Sequence, residues 1–302
     1  LLEPAFAAAE IDRERRDTLA AIARRKDRLD VRVFAQFQAE LYRSHPYRLP
    51  VIGTERSVAA NARAALLEHQ ARLVRAPNLV VGVAGDVDPG ALAEGLARRL
   101  SDLETRPAPL AEPPEDPAPD AVREIEVRKD RAQAHLVMGF RGLTVHDPDR
   151  HALEVIAQIL AGQAGRLFLE LRDRRSLAYS VSAMNVEGIA PGLFATYIAT
   201  SPERLGEARR GMDEELARLL EAPPAEDELE RARRYLVGSH VIDQQRSATR
   251  ALASALDAPY GLGPDFGDRY VAAVRAVTAE DVLRVARRVI DRDACVIATI
   301  RP

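Results

Sequence analysis

The chain has 302 residues, of which 47% are hydrophobic and 29% charged, and its formal net charge is −3. A slightly acidic chain lacks the positive surface of an electrostatic nucleic-acid binder, so nucleic acid is not an expected partner. The apolar content is enough to bury sizeable cores, yet no stretch approaches the roughly 20 apolar residues of a membrane span, so we expect none.

Two features of the composition bear on the source and the compartment. The basic residues are almost all arginine, with lysine only at Lys26 and Lys129, and alanine is abundant. We interpret this as the signature of a bacterial genome rich in G and C. The single cysteine, Cys295, allows no intrachain disulfide, so the sequence does not decide between a periplasmic and a cytoplasmic location. Because the chain begins at Leu1 and not at Met, we expect that it is truncated at its N-terminus.

The first part of the chain is predicted to be helical with one buried strand. Apolar residues recur at helical spacing over residues 7–25 and 33–42, and the following His45-Pro46-Tyr47 ends the second helix. The continuous apolar run 79–84 is typical of a buried strand. Asp88 is a suitable N-cap for a helix that continues to Leu100.

A proline-rich segment divides the chain. Six prolines lie between Thr105 and Asp120, without any apolar period. Proline donates no backbone hydrogen bond and stiffens the chain, which predicts an extended linker over residues 105–120. It separates a first domain, residues 1–104, from a second domain, residues 121–302.

The second part is predicted to mix strands and helices. The strands are expected at 121–127, 135–140, 178–186, 193–200 and 295–300, and the helices at 149–160, 166–172, 203–221, 225–243 and after Thr278. Neither part alternates strand and helix regularly. The pattern therefore predicts the α+β class, with an antiparallel sheet covered by helices in each domain.

Metal-ligand motifs are missing from the sequence. Six histidines are present, and none forms a pair one helical turn apart with the glutamate that activates metal-bound water in a zinc peptidase. His146 and His151 flank a proline and are interpreted as parts of a solvated loop. Serine-nucleophile and phosphate-binding motifs are missing as well.

One polar constellation remains. Arg172 lies near the end of a predicted helix and Tyr179 near the start of the next strand. A guanidinium and a phenol can both donate hydrogen bonds to a ligand, and the two could converge across the turn. From the pattern alone, an arginine near a helix C-terminus is most often a solvated charge that complements the helix dipole.

Several short motifs, in order along the chain, resemble the M16 peptidases, the family of pitrilysin, insulin-degrading enzyme and the mitochondrial processing peptidase. These are His45-Pro46-Tyr47 with Gly53-Thr54, Asn78 with Gly85-Asp86-Val87, Gly165-Arg166-Leu167-Phe168 with Leu171-Arg172 and Leu177-Ala178-Tyr179-Ser180-Val181, and Ala276-Val277-Thr278 with Asp281-Val282. The resemblance covers essentially the whole chain and implies two domains of the M16 type.

The resemblance implies roles for particular residues. In the family, one half carries zinc and the other supplies an arginine and a tyrosine seven residues apart that grip the substrate. Arg172 and Tyr179 match that pair, which implies a catalytic, carbonyl-binding role for Tyr179 and substrate binding by both. Glu14 matches the accessory glutamate of the zinc-bearing half, but Ala21 occupies the position of the distal zinc ligand. This chain is therefore expected to bind no metal and to receive zinc chemistry from its partner.

The resulting hypothesis is the substrate-binding, non-metal half of a zinc-dependent M16 peptidase. It would hydrolyse peptides or small unfolded proteins together with a zinc-bearing homologous half or subunit, and would be inactive alone. The alternative is a non-catalytic structural or assembly subunit of the M16 core-protein type. If the resemblance is set aside, a plain α+β binding module remains.

Overall fold

A computed structural model describes residues 2–302. These residues group into two compact units, each built from three separate segments. The first contains residues 2–27, Pro50–Pro114 and Gln244–Pro264, and the second contains Arg28–Leu49, Glu115–Asp243 and Asp265–Pro302. The compact units therefore do not follow the linear division predicted at residues 105–120. The assignment of 1–104 to the C-terminal part of a first M16 domain, incomplete at its N-terminus, and of 121–302 to a second M16 domain stays a prediction.

The regular elements are eleven α-helices and five strands within the described residues. In chain order they are α1 Ala8–Asp27, α2 Leu29–Leu41, α3 Glu55–Ala60, α4 Arg63–Leu73, α5 Pro89–Arg99, β1 Arg123–Arg128, β2 Ala134–Arg141, α6 Arg150–Leu160, β3 Ser180–Val186, β4 Leu193–Thr200, α7 Leu205–Glu221, α8 Glu226–Asp243, α9 Ser247–Asp257, α10 Phe266–Ala276, α11 Ala279–Val289 and β5 Val296–Arg301. A π-helical segment, Phe168–Arg174, precedes β3. No helix within residues 2–302 is long and apolar enough to span a membrane.

The first unit contains α1, α3, α4, α5 and α9. The strand predicted over residues 79–84 is wrong, because this segment forms no ladder in the structure. A strand needs a partner, and the first unit has no other strand in the part of it that the structure describes. Its valines Val80, Val81 and Val83 are 44–49% exposed, so the apolar run is not buried as predicted.

The second unit is built on one five-stranded sheet with the order β1-β5-β2-β4-β3. β1 pairs with β5 in parallel, and the other neighbours are antiparallel, with Val137 opposite Tyr197 and Gly139 opposite Ala195. The sheet is therefore mixed, and not purely antiparallel as expected. β3 lies at one edge of the sheet, which places the segment that leads into it at the edge as well.

Both faces of this sheet are covered. On one face, side chains of β2 and β4 pack with α6, α7, α8, α10 and α11 in the larger core. On the other face, α2 packs Val33, Phe37 and Leu41 in a smaller core. The ring of Phe37 lies directly on Gly139, where an added Cβ would be 2.5 Å from Cζ of the ring. Burial on both faces explains why β2 and β4 have long apolar runs. The α+β class predicted from the sequence is confirmed.

Candidate functional site

Arg172 lies in the π-helical segment Phe168–Arg174. The helical backbone widens there, a distortion that is often found at functional sites. Leu171 is fully buried and fixes the segment to the core, whereas the neighbouring Arg172 faces solvent. Its guanidinium lies over the ring of Phe168, with Cζ 5.0 Å from the ring centroid. The segment thus presents a charged group from a backbone that is held by the core.

The two arginines at the end of this segment, Arg174 and Arg175, have partners within the protein. Arg174 and Arg175 both pair with Glu170 at 2.9 Å, and Arg175 also pairs with Glu214 of α7 at 2.9 Å. Hydrogen bonds from Arg174 and Arg175 hold the pKa of Glu170 below its usual range, so this carboxylate stays ionised. Within residues 2–302, Arg172 makes no hydrogen bond or ion pair, and its donors are available to a ligand.

Tyr179 comes immediately before edge strand β3. Its backbone N–H donates to the carbonyl of Ala199 at 2.9 Å, which attaches it to the sheet. Its side chain is 62% exposed, and its hydroxyl has no hydrogen-bond partner within residues 2–302. A rigid backbone and a free phenol fit a group that donates a hydrogen bond to a ligand carbonyl.

A short turn connects the two predicted site residues. Ser176 has φ of +50°, a left-handed conformation that costs a non-glycine residue about 1–2 kcal/mol. The following Leu177 is buried, and its N–H donates to the carbonyl of Leu171 at 2.7 Å. The structure therefore places Arg172 and Tyr179 at the two ends of one fixed turn. Within the described chain no direct contact joins their side chains.

The predicted zinc-related positions lie in α1 of the first unit. Glu14 is exposed, with its carboxylate 3.3 Å from Arg13, and Ala21 lies two turns further along. The methyl group of Ala21 offers no donor atom to a metal, so the position that the resemblance assigns to the distal zinc ligand cannot bind one. Within residues 2–302, no three side chains of His, Cys, Asp or Glu come together as metal ligands. Among the described residues, the side chains at Glu14 and Ala21 do not make a zinc site, and the absence of a bound metal from this chain stays a prediction.

No signal in the sequence marks two residues, Asp116 and Arg141, that hold the His45-Pro46-Tyr47 turn in place. The Asp116 carboxylate accepts the N–H groups of Ser44 at 3.1 Å and His45 at 2.8 Å, and lies 3.5 Å from Arg141. The Tyr47 hydroxyl accepts the N–H of Ile189 at 3.1 Å, in the turn before β4. This motif therefore ties the end of α2 to the linker and the sheet, a structural role.

Comparisons with known proteins show which family the chain matches. Residues 62–236, more than half of the chain, match the family model described as the peptidase M16 inactive domain. A Rickettsia bellii protein named as an uncharacterized zinc protease is 25% identical over 283 residues, which cover 93% of this chain and 65% of that protein. The chain thus spans less than two thirds of the length of that relative.

Solved structures share the fold over nearly the whole chain. A peptidase M16 inactive domain from Pseudomonas fluorescens superposes with a TM-score of 0.89 at 25% identity, covering 99% of this chain and 72% of that one. A protease from Helicobacter pylori gives a TM-score of 0.90 at 19% identity, covering 98% of this chain and 73% of that one. The matched family model and the shared fold together show that this chain belongs to the M16 peptidase family, in the part described as its inactive domain.

Proposed function

We propose that this chain is the substrate-binding, non-metal half of a zinc-dependent M16 peptidase. The partner is a zinc-bearing homologous half or subunit, and the substrates are peptides or small unfolded proteins. The observation that carries the proposal is the pair Arg172 and Tyr179, two exposed side chains at the ends of one fixed turn whose donors make no hydrogen bond or ion pair within residues 2–302. The match to an inactive domain and the zinc-protease name of a relative support it.

The two residues have different roles in this proposal. The guanidinium of Arg172 donates hydrogen bonds to a peptide carbonyl or to the terminal carboxylate, and so holds the substrate in place. The hydroxyl of Tyr179 donates to the carbonyl of the scissile bond, where negative charge develops during hydrolysis. Zinc, held by the partner half, would supply the activated water. Ala21 is the reason that this chain does not supply it.

A mixing experiment tests the proposal. The purified chain, its zinc-bearing homologue and an equimolar mixture are assayed with an internally quenched peptide, with and without added zinc. We expect chelator-sensitive turnover from the mixture and none from this chain alone. Robust zinc-dependent turnover by this chain alone would show that it holds its own metal.

Substrate binding by Arg172 is tested in the same mixture. Arg172→Ala is expected to raise KM by about tenfold or more, because a charge-assisted hydrogen bond contributes about 1.5–3 kcal/mol. Arg210→Ala is the matched control, since Arg210 on α7 also lacks an ion pair among the described residues. Equal kinetics for both variants would remove Arg172 from the site. If the mixture assembles but never hydrolyses peptide, the structural-subunit alternative is favoured instead.

A further inference from the structure

Arg204 contacts the backbone of the turn that joins Arg172 to Tyr179. It lies at the end of the 3₁₀ turn Pro202–Arg204, just before α7. Its Nη1 donates to the carbonyl of Ser176 at 2.9 Å, and its Nη2 donates to the carbonyl of Arg175 at 3.1 Å. One guanidinium therefore holds two successive carbonyls, which a planar fork of donors does well and a single ammonium does not.

These two carbonyls belong to the part of the turn where the backbone conformation is unfavourable. Ser176 has its positive φ here, and in residues 2–302 no backbone amide donates to either carbonyl. A residue in a sparsely populated backbone conformation keeps it only when its surroundings hold it there. Without Arg204, the turn would be held by the N–H bond of Leu177 and by the ion pairs of Arg175 with Glu170 and Glu214.

The orientation of Arg204 is itself fixed by a neighbour. Glu207, one helical turn further along, accepts from Nε at 3.3 Å and from Nη2 at 3.1 Å. The guanidinium is thus held between an acidic side chain on α7 and the two carbonyls of the turn. Because α7 packs in the larger core through buried residues such as Met212 and Leu216, this link connects the turn to a rigid element.

We propose that Arg204 is a positioning residue of the substrate-binding site, which acts by holding the Arg175–Ser176 turn so that Arg172 and Tyr179 keep their relative placement. The proposal rests on the function proposed above for those two residues. It assigns Arg204 no contact with substrate. A displacement of about 1 Å in a catalytic group can cost up to about 10²-fold in rate, so the hold on this turn has a measurable consequence.

The hold on the turn is tested on the chain by itself, independently of any peptidase activity. Amide hydrogen exchange is measured for Leu177 and Tyr179, whose N–H bonds close the two sides of the turn. Arg204→Ala is expected to speed exchange at both amides by about tenfold. The matched control is Arg209→Ala, which removes a bidentate surface pair with Glu124 from α7 without touching the turn, and it should leave both amides unchanged. Unchanged exchange in Arg204→Ala overturns the proposal.

The functional consequence is tested by a double-mutant cycle in the assembled peptidase, with the quenched peptide as substrate. Arg204→Ala is expected to lower kcat by about tenfold, and the double variant with Tyr179→Phe to be no slower than Tyr179→Phe alone. Such non-additivity shows that Arg204 acts through Tyr179, which a general loss of stability would not produce.

The outcomes separate the two proposals. If Tyr179→Phe retains full kcat, the proposed function fails, whatever Arg204 does to exchange. If Tyr179→Phe lowers kcat and Arg204→Ala does not, or if their effects multiply independently, the substrate site stands and the positioning role of Arg204 is refuted.

Discussion

Asp116 is a nearly buried carboxylate in the proline-rich linker, and its replacement by alanine is expected to destabilise the sheet-containing unit by about 3 kcal/mol. The side chain of Asp116 is 6% exposed and that of its partner Arg141 is 10% exposed. Removing one member of a buried ion pair leaves the other charge uncompensated, which typically costs about 3–5 kcal/mol. We take the lower end because Arg141 keeps hydrogen bonds to the carbonyl of Leu41 and to the linker backbone.

The assay is urea unfolding followed by far-ultraviolet circular dichroism, with Asp120→Ala as the matched control. Asp120 lies in the same linker and faces an arginine, but its side chain is 95% exposed and lies 3.9 Å from Arg123. Exposed pairs of this kind contribute about 0–1 kcal/mol, so the control should unfold almost as the parent does. Equal midpoints for Asp116→Ala and Asp120→Ala would refute the reasoning from burial.

The pH dependence of the free energy of unfolding is an independent check on the predicted effect of Asp116→Ala. Burial alone would raise the pKa of Asp116, but N–H bonds from His45 and Ser44 and the charge of Arg141 outweigh burial and lower it. A carboxyl whose pKa is lowered on folding stabilises the protein above its unfolded pKa of about 3.9 and loses that contribution as the pH falls through the folded value. The difference between parent and Asp116→Ala should therefore be full at pH 7 and shrink below about pH 4.

Further predictions concern packing, thiol reactivity and helix capping. Gly139→Ala should destabilise the sheet unit by about 1–3 kcal/mol in urea, because the new methyl would press on Phe37, and an unchanged midpoint would contradict the close packing. Burial raises the pKa of the Cys295 thiol to about 11, so iodoacetamide at pH 8 should label it only after unfolding; rapid labelling of the folded chain would refute its burial. Thr278→Ala should cost about 1 kcal/mol, because the Thr278 hydroxyl accepts the N–H of Asp281 at 3.1 Å as the N-cap of α11, and a cost near zero would count against the cap.

The second unit could be predicted well because its strands are marked by their burial. Strands β2 and β4 were expected at 135–140 and 193–200; the structure extends β2 by one residue at each end, to Ala134–Arg141, and gives β4 the predicted bounds, Leu193–Thr200. Their runs are apolar because both faces are covered. The helical spacing over 33–42 likewise identified α2, but a periodic pattern shows which face is apolar and not which surface it covers. Hence the grouping of α2 with the sheet was not foreseen.

The first unit shows that an apolar run in the sequence is not enough to predict a strand. Residues 79–84 have the composition of a buried strand, yet composition does not supply the neighbouring strand that a ladder needs. In the described chain this segment pairs with no strand, and its backbone at Gly82 packs closely against α9, where an added Cβ would lie 2.1 Å from the carbonyl of Ala251. The prediction was therefore correct about apolar character and wrong about structure.

The candidate site was only partly accessible from sequence. Arg172 and Tyr179 were found by resemblance, because their spacing matches a known pair. The π-helical backbone, the positive φ of Ser176 and the contacts of Arg204 leave no periodic signal, since they depend on carbonyl positions that only the folded chain defines. The structural role of Asp116 could not be predicted for the same reason. A single aspartate in a proline-rich linker is expected to be solvated, and its contact with Arg141 exists only in the folded chain.

The most direct test of the central claim, that this chain grips the substrate while its partner holds zinc, is kcat of Tyr179→Phe in the assembled peptidase. Removing one hydrogen bond to a developing oxyanion lowers kcat by about 10²–10³-fold. We predict a loss of that order with little change in KM, and no loss for Tyr235→Phe, a tyrosine of α8 that is similarly exposed at 58%. Unchanged kcat in Tyr179→Phe, or a pure rise in KM, would contradict the catalytic role assigned to Tyr179.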